Sequence, residues 1–280
     1  MGLLSGLGSL GLGNIEKMDL FQEEDKKQKV LSSGSEEVKR PQEEEFIFDK
    51  QLVCPVCDKK IAVKIAKSGR AKLIASDLDL RPQYEFFDSS KYDTVVCESC
   101  GYSALTRYHK ALAPSQVKAI RENISKSVNV TRYRETTYSY EQALERYRLC
   151  LACAMVKKAK NSEKAYICLK MAWLLRGYVE SGELDKEEEK KQGMKDLEQE
   201  SLRNAYTGFL DARQNESFPM CGMDEMTMDY LIAAIAYEIN EMEAAARMVQ
   251  SILVSNVASK RVKERALYLK DLIIEARKKA

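Results

Sequence analysis

Histidine, tryptophan and proline are scarce in this chain, at one, one and five residues in 280. With a single histidine, a Ser–His or Cys–His catalytic pair would rest on His109 alone. None of the strings GxSxG, HExxH or GxxxxGK[ST] accompanies it, so the sequence gives no ready nucleophile elbow, zinc-protease helix or phosphate-binding loop. Charge of one sign is also missing. Forty-five Lys and Arg stand against 43 Asp and Glu, and a near-neutral chain is not a general polyanion binder, because such binding works by displacing counterions from phosphates. No apolar run approaches the roughly 20 residues that span a bilayer. The opening MGLLSGLGSLGLG lacks the basic start of a secretory signal, and Gly6 stands where a myristoylation motif wants Ser or Thr. A reducing cytoplasm is the expected setting.

What is present sorts into zones. Residues 1–45 pair an apolar, glycine-interleaved peptide (1–20) with a Glu/Lys/Ser-rich stretch too poor in large apolar side chains to offset the entropy of ordering, which reads as a charged linker. Gly6 to Gly11 spells GxGxxG, but no strand precedes it and no βαβ unit follows, so a dinucleotide site is not expected. Residues 46–113 carry short stretches of period two. Ile61, Val63 and Ile65 alternate with polar or small residues, Lys67 to Arg70 offers a turn, and Leu73 to Ala75 is the expected returning strand of a hairpin. Tyr92, Thr94 and Val96 alternate again.

From Pro114 the period becomes about 3.6. Ala143, Tyr147, Cys150 and Ala154 mark one helical stripe, as do Leu202, Ala205, Phe209 and Ala212, and then Val262, Ala266, Leu269, Ile273 and Ala276. Breaks at Asn161-Ser162, Ser181-Gly182, Phe218-Pro219 with Gly222, Asn240, and Ser255 to Ser259 divide residues 114–280 into about seven helices. The fold class expected is therefore α+β, a small β module followed by an all-α array.

Two CxxC pairs, Cys54 with Cys57 and Cys97 with Cys100, carry the most chemistry. A CxxC turn aims two thiolates at one point, and two such turns supply the tetrahedral sulfur shell that Zn²⁺ prefers. Four protein ligands leave no open position, so the metal, Cys54, Cys57, Cys97 and Cys100 together, is expected to be structural. Iron in the same shell and redox-active dithiols are the alternatives. The residue after each knuckle needs a left-handed backbone, which Gly101 adopts freely and Asp58 tolerates. Thirty-nine residues separate the pairs, more than in compact zinc modules, so the strands between must build a larger ribbon. Cys150, Cys153, Cys168 and Cys221 are a conceivable second thiolate site, though unpaired cysteines are commonly buried as small hydrophobes.

Weaker features have blander readings. Asp77 and Asp79 would share one face of a strand, where solvent is a more ordinary neighbour than a cation. Arg107-Tyr108-His109-Lys110 is a small basic and aromatic run that would touch phosphate in a nucleic-acid-binding alternative. Trp173 is expected in the helical core.

The helical zone resembles tetratricopeptide repeats. Ala143, Tyr147 and Cys150, and again Ala205, Phe209 and Ala212, follow their second-helix pattern, and Trp173 with Gly177 is similar to their first-helix W-x3-G, although Trp173 to Ala205 spans twice the usual spacing. As a whole, the chain resembles a bacterial family known as domain of unknown function 2225. The resemblance covers about residues 48–275 and rests on both knuckles, Asp77-Leu78-Asp79, Arg81-Pro82-Gln83-Tyr84, Tyr92-Asp93, Gly101-Tyr102 and Ile120-Arg121-Glu122-Asn123. It implies a zinc-ribbon-like head on a helical body and no established activity. The functional expectation from the residues is a non-catalytic, cytoplasmic zinc protein that offers a helical surface to a protein or peptide. Nucleic-acid binding by the ribbon, or thiol redox sensing, is the alternative.

Overall fold

A computed structural model describes residues 41–67 and 69–279. The apolar peptide 1–20, its GxGxxG string and most of the charged linker lie outside the described residues. Strands come first. β1 (Ile47–Val53) and β2 (Lys60–Ala66) form one antiparallel pair in the register Ile47 to Ala66 through Val53 to Lys60. β3 (Leu73–Ser76) pairs with β4 (Pro82–Tyr84), and β5 (Thr94–Val96) with β6 (Ser103–Leu105), giving three two-stranded antiparallel sheets.

The hairpin expected between Ile61–Ile65 and Leu73–Ala75 is therefore corrected, since β2 returns onto β1 and β3 finds β4. The physical reason lies in the first knuckle. The Cys54 N–H donates to the Lys59 carbonyl at 3.0 Å and the Asp58 N–H to the Cys54 carbonyl at 2.9 Å, so the CxxC turn itself reverses the chain and joins β1 to β2. β1 is hard to see in sequence because all its residues but Ile47 and Leu52 are exposed, which erases the alternation.

Seven helices follow among the described residues: α1 (Pro114–Ile120), α2 (Tyr140–Val156), α3 (Asn161–Glu180), α4 (Glu188–Asn215), α5 (Glu225–Glu238), α6 (Met242–Val254) and α7 (Lys260–Lys279). Pro114 opens α1, where its missing N–H costs nothing. A π turn, Arg121–Ser125, continues it. Ser139 and Gln142 cap α2 reciprocally, each side chain accepting from the other's backbone N–H, and Asp224 accepts the Thr227 N–H at the start of α5. The boundaries fall at the breaks read from the sequence. The three apolar stripes are buried as read, except that Ala276 is half-buried.

Each helix packs on its neighbour in the chain, and α5 also meets α7. Trp173 packs with Leu202, Ala205, Phe209 and Ala212 in the core between α3, α4 and α5. The doubled spacing from Trp173 to Ala205 arises because α4 begins fourteen residues before its first core leucine, Leu202, with a stretch that has no fully buried side chain before Ser201. Gly208 allows α4 to approach α3 closely, since a Cβ there would sit 2.9 Å from the Ala165 methyl. Phe46, Phe87, Tyr92 and Tyr138 form a separate aromatic cluster with Ile47. One core joins both knuckles to Ile120, Ile124 and Cys153, so the cysteine turns share buried surface with α1, its π turn and α2.

Candidate metal centre

The two knuckles are built alike. In the second, the Cys97 N–H donates to the Tyr102 carbonyl and the Gly101 N–H to the Cys97 carbonyl, each at 2.8 Å, repeating the pattern at Cys54 and Asp58. Asp58 and Gly101 take the expected left-handed backbone, with φ of 59° and 72°. Gly101 is required for space as well, because a Cβ there would lie 2.3 Å from a methyl of Val128.

Facing each other, the turns bring Sγ of Cys54 to 3.6 Å from that of Cys100, and Sγ of Cys57 to 3.5 Å from that of Cys97. All four sulfurs lie within 4.8 Å of one another, and all eight cysteines of the chain are free thiols. A tetrahedral shell with metal–sulfur bonds of about 2.3 Å has edges of about 3.8 Å, so the four residues fit a metal ion with only small adjustment. Cys54, Cys97 and Cys100 are buried and Cys57 is half-buried.

The electrostatics of the bare thiols point the same way. Hydrogen bonds from Cys100 and then from Cys54 hold the Cys97 thiol far below its ordinary value. The bond from Cys100 lowers Cys54, but its bond with Cys97 and burial outweigh that and push it up to about 12. Bonds to Cys54 and Cys97, with burial, hold Cys100 far above the ordinary range. The crowded sulfurs of Cys54, Cys97 and Cys100 thus resist ionising together. A divalent cation reverses this by neutralising the thiolates, so metal uptake here releases protons.

Two side chains from outside the knuckles grip the first of them. Arg121, at the end of α1, donates from Nε to the Val56 carbonyl at 3.1 Å. His109 places Nε2 3.1 Å from the Val53 carbonyl and its ring 5.9 Å from that of Tyr102. Burial lowers the His109 pKa, which favours the neutral ring. These positioning roles leave no pattern in the sequence, since each joins residues more than fifty positions apart.

The other four cysteines are not brought together. Cys150, Cys153 and Cys168 lie in three different cores, and Cys221 packs at the rim of the third-helix core. Cys153 hydrogen-bonds with the Ser103 N–H and the Gly101 carbonyl. Burial pushes the thiols of Cys153, Cys168 and Cys221 up to about 11 and that of Cys150 higher still. Among the described residues, Cys54, Cys57, Cys97 and Cys100 are the group of candidate ligands that converges.

Asp77 and Asp79 correct the reading of a solvated strand face. They lie in the tight turn between β3 and β4, with the Leu80 N–H on the Asp77 carbonyl, so the two carboxylates point inward together. Asp79 is fully buried and accepts from Nε1 of Trp173 at 2.9 Å. Arg176 on α3 reaches Asp77 at 3.3 Å, Asp79 at 3.1 Å, Glu198 at 2.7 Å and Glu238 at 2.7 Å, while Arg81 pairs with Asp77 and Glu180. Trp173 is in the core as expected, and its N–H is one of the groups that hold the buried Asp79.

The basic run is largely spoken for. The Arg107 guanidinium donates to the Cys221 carbonyl and stacks over the Tyr166 ring at 5.1 Å. Tyr108 donates to the Cys221 sulfur at 3.3 Å, and Arg107 and Lys110 are the exposed residues of the four. No helix among the described residues is long and apolar enough to cross a membrane. A family model described as an uncharacterised protein conserved in bacteria, domain of unknown function 2225, matches residues 47–273. No curated protein and no solved structure matches the chain.

Proposed function

The chain belongs to this uncharacterised bacterial family, and from that premise we propose that it is a non-catalytic cytoplasmic adaptor in which a structural zinc ion fixes the strands and the helices hold a protein partner. The observation that carries the reading is the closed four-thiol cage. Four cysteine sulfurs at tetrahedral spacing suit Zn²⁺, and a shell completed by protein leaves no position for substrate or water. Zinc bound there would supply charge neutralisation and cross-linking to a core that also contains Ile120, Ile124 and Cys153.

Several features support adaptor over enzyme or nucleic-acid binder. The thiols outside the cage are held protonated by burial, which makes them poor nucleophiles and poor redox sensors. Arg107 and Tyr108 are engaged with Cys221. At the α6–α7 end, Val254, Val257, Leu267, Tyr268 and Ile274 are exposed, which is apolar surface of the kind protein interfaces use. The test is a tagged pull-down from a bacterial host of the family, with and without nuclease, read by mass spectrometry. A stoichiometric protein that survives nuclease supports the adaptor; loss of all co-purified material on nuclease treatment would overturn it.

A further inference from the structure

A cavity of about 590 Å³ opens where β4 and the loop after it meet α2 and the end of α3. Its chemistry is layered. Two cations lie at the back: the side chains of Arg81 and Lys91 are 6% and 9% exposed. Their carboxylate partners stand in front of them, Glu180 at 54% and Glu43 at 24%. Glu183, also lining the cavity, is exposed and has no ion pair among the described residues. The cavity therefore shows incoming molecules negative charge, with the compensating positive charge behind it.

Beside these carboxylates stands an aromatic wall of Tyr84, Phe86, Phe87 and Tyr140. Phe86 is 47% exposed and has a left-handed backbone, φ 70°, a conformation that costs a non-glycine residue free energy and here turns the ring outward. It is braced from behind by Phe46, whose ring centroid lies 6.2 Å away and which also stacks on Phe87 at 5.4 Å. The protein already uses the same combination on one of its own cations: the Lys91 ammonium pairs with Glu43 at 2.6 Å and sits 5.1 Å above the Tyr140 ring. Ring faces attract cations, and more strongly where water is partly excluded.

We infer that this cavity is a docking site for a basic peptide segment of the partner, with a lysine or arginine side chain laid against Phe86 and paired with Glu183 and Glu180. The inference rests on the adaptor reading and names the chemistry of what is bound. Charge complementarity selects the occupant: an acidic segment would face four carboxylates, Glu43, Asp88, Glu180 and Glu183, and a purely apolar one would strip water from them without replacing it.

The experiment is fluorescence anisotropy with the full-length, metal-loaded protein and a fluorescein-labelled dodecapeptide of alternating lysine and glycine, with the glutamate–glycine peptide as control. Saturable 1:1 binding of the lysine peptide is expected, weakened at least tenfold by Phe86→Ala and by Glu183→Gln and less by Phe86→Leu, which keeps apolar area but removes the ring. Both positions are exposed, and far-UV circular dichroism checks that each variant folds. Glu275→Gln, on the exposed side of α7 and outside the cavity, should leave affinity unchanged. No saturable binding, or equal weakening by all three sites, would overturn the assignment. A pull-down partner retained in full by Phe86→Ala/Glu183→Gln would overturn the cavity while leaving the adaptor reading intact.

Discussion

Glu238 offers a direct reading of the buried ion network. Four carboxylates, from Asp77, Asp79, Glu198 and Glu238, crowd around the Arg176 guanidinium, and Arg81, which pairs with Asp77, is shared with Glu180, so the cations do not compensate them all. Burial first, then the negative charge of Asp79, pushes Glu238 up to about 8 despite its bond to Arg176. Burial also raises Glu198. A carboxyl whose folded pKa lies above its unfolded value of about 4.5 holds a proton that the unfolded chain has lost, so stability falls as pH rises through that window, at up to about 1.4 kcal/mol per pH unit. Between pH 6 and 8.5 this amounts to a ceiling of about 3 kcal/mol, and the 16% exposure of the side chain trims it to about 2 kcal/mol. Glu238→Gln reproduces the protonated form. Urea unfolding of the metal-loaded protein, followed by far-UV circular dichroism, should find the variant's advantage over wild type growing by that amount from pH 6 to 8.5. Parallel curves would refute the reasoning, as would a variant less stable than wild type at pH 8.5, which would mean that ionised Glu238 is a net stabilising partner of Arg176.

Three other outcomes are expected. Gly101→Ala combines a left-handed backbone with a Cβ 2.3 Å from Val128, so it should cost about 2 kcal/mol or more and weaken metal retention; Val128→Ala in the same chain should restore part of the loss, read by chelator competition. Gly193→Ala on α4, with nothing within 4 Å of the new methyl, should stabilise by about 1 kcal/mol, whereas Gly208→Ala, against Ala165, should forfeit that gain; thermal melts separate the two. Cys97→Ser should loosen α1, its π turn and the part of α2 around Cys153 along with the knuckles, because they share one core, and hydrogen exchange confined to residues 47–105 would contradict that coupling.

Local patterns made much of this molecule legible. The helices could be read because one buried stripe at period 3.6 needs no knowledge of its partner, and their ends because Gly, Asn and Ser-rich breaks act within a few residues. The cage could be read because a CxxC turn is a local geometry, and Asp58 and Gly101 follow from it. What escaped has no local signature. β1 shows water most of its side chains, so its pairing with β2 is set by the knuckle and not by alternation. Asp77 and Asp79 looked like one strand face because nothing within ten residues reveals Trp173 and Arg176, which meet them from almost a hundred positions away. Arg121 and His109 hold the knuckle by its carbonyls, and any basic or ring side chain would read the same in sequence.

The measurement that bears most directly on the account is metal content by native mass spectrometry of protein purified without added metal, with a Cys54→Ser/Cys97→Ser variant beside it. One zinc per chain in wild type, and none in the variant, is expected. Wild-type chains that carry no metal and take up none on incubation with Zn²⁺, or a variant that still carries one equivalent, would contradict a cage formed by Cys54, Cys57, Cys97 and Cys100.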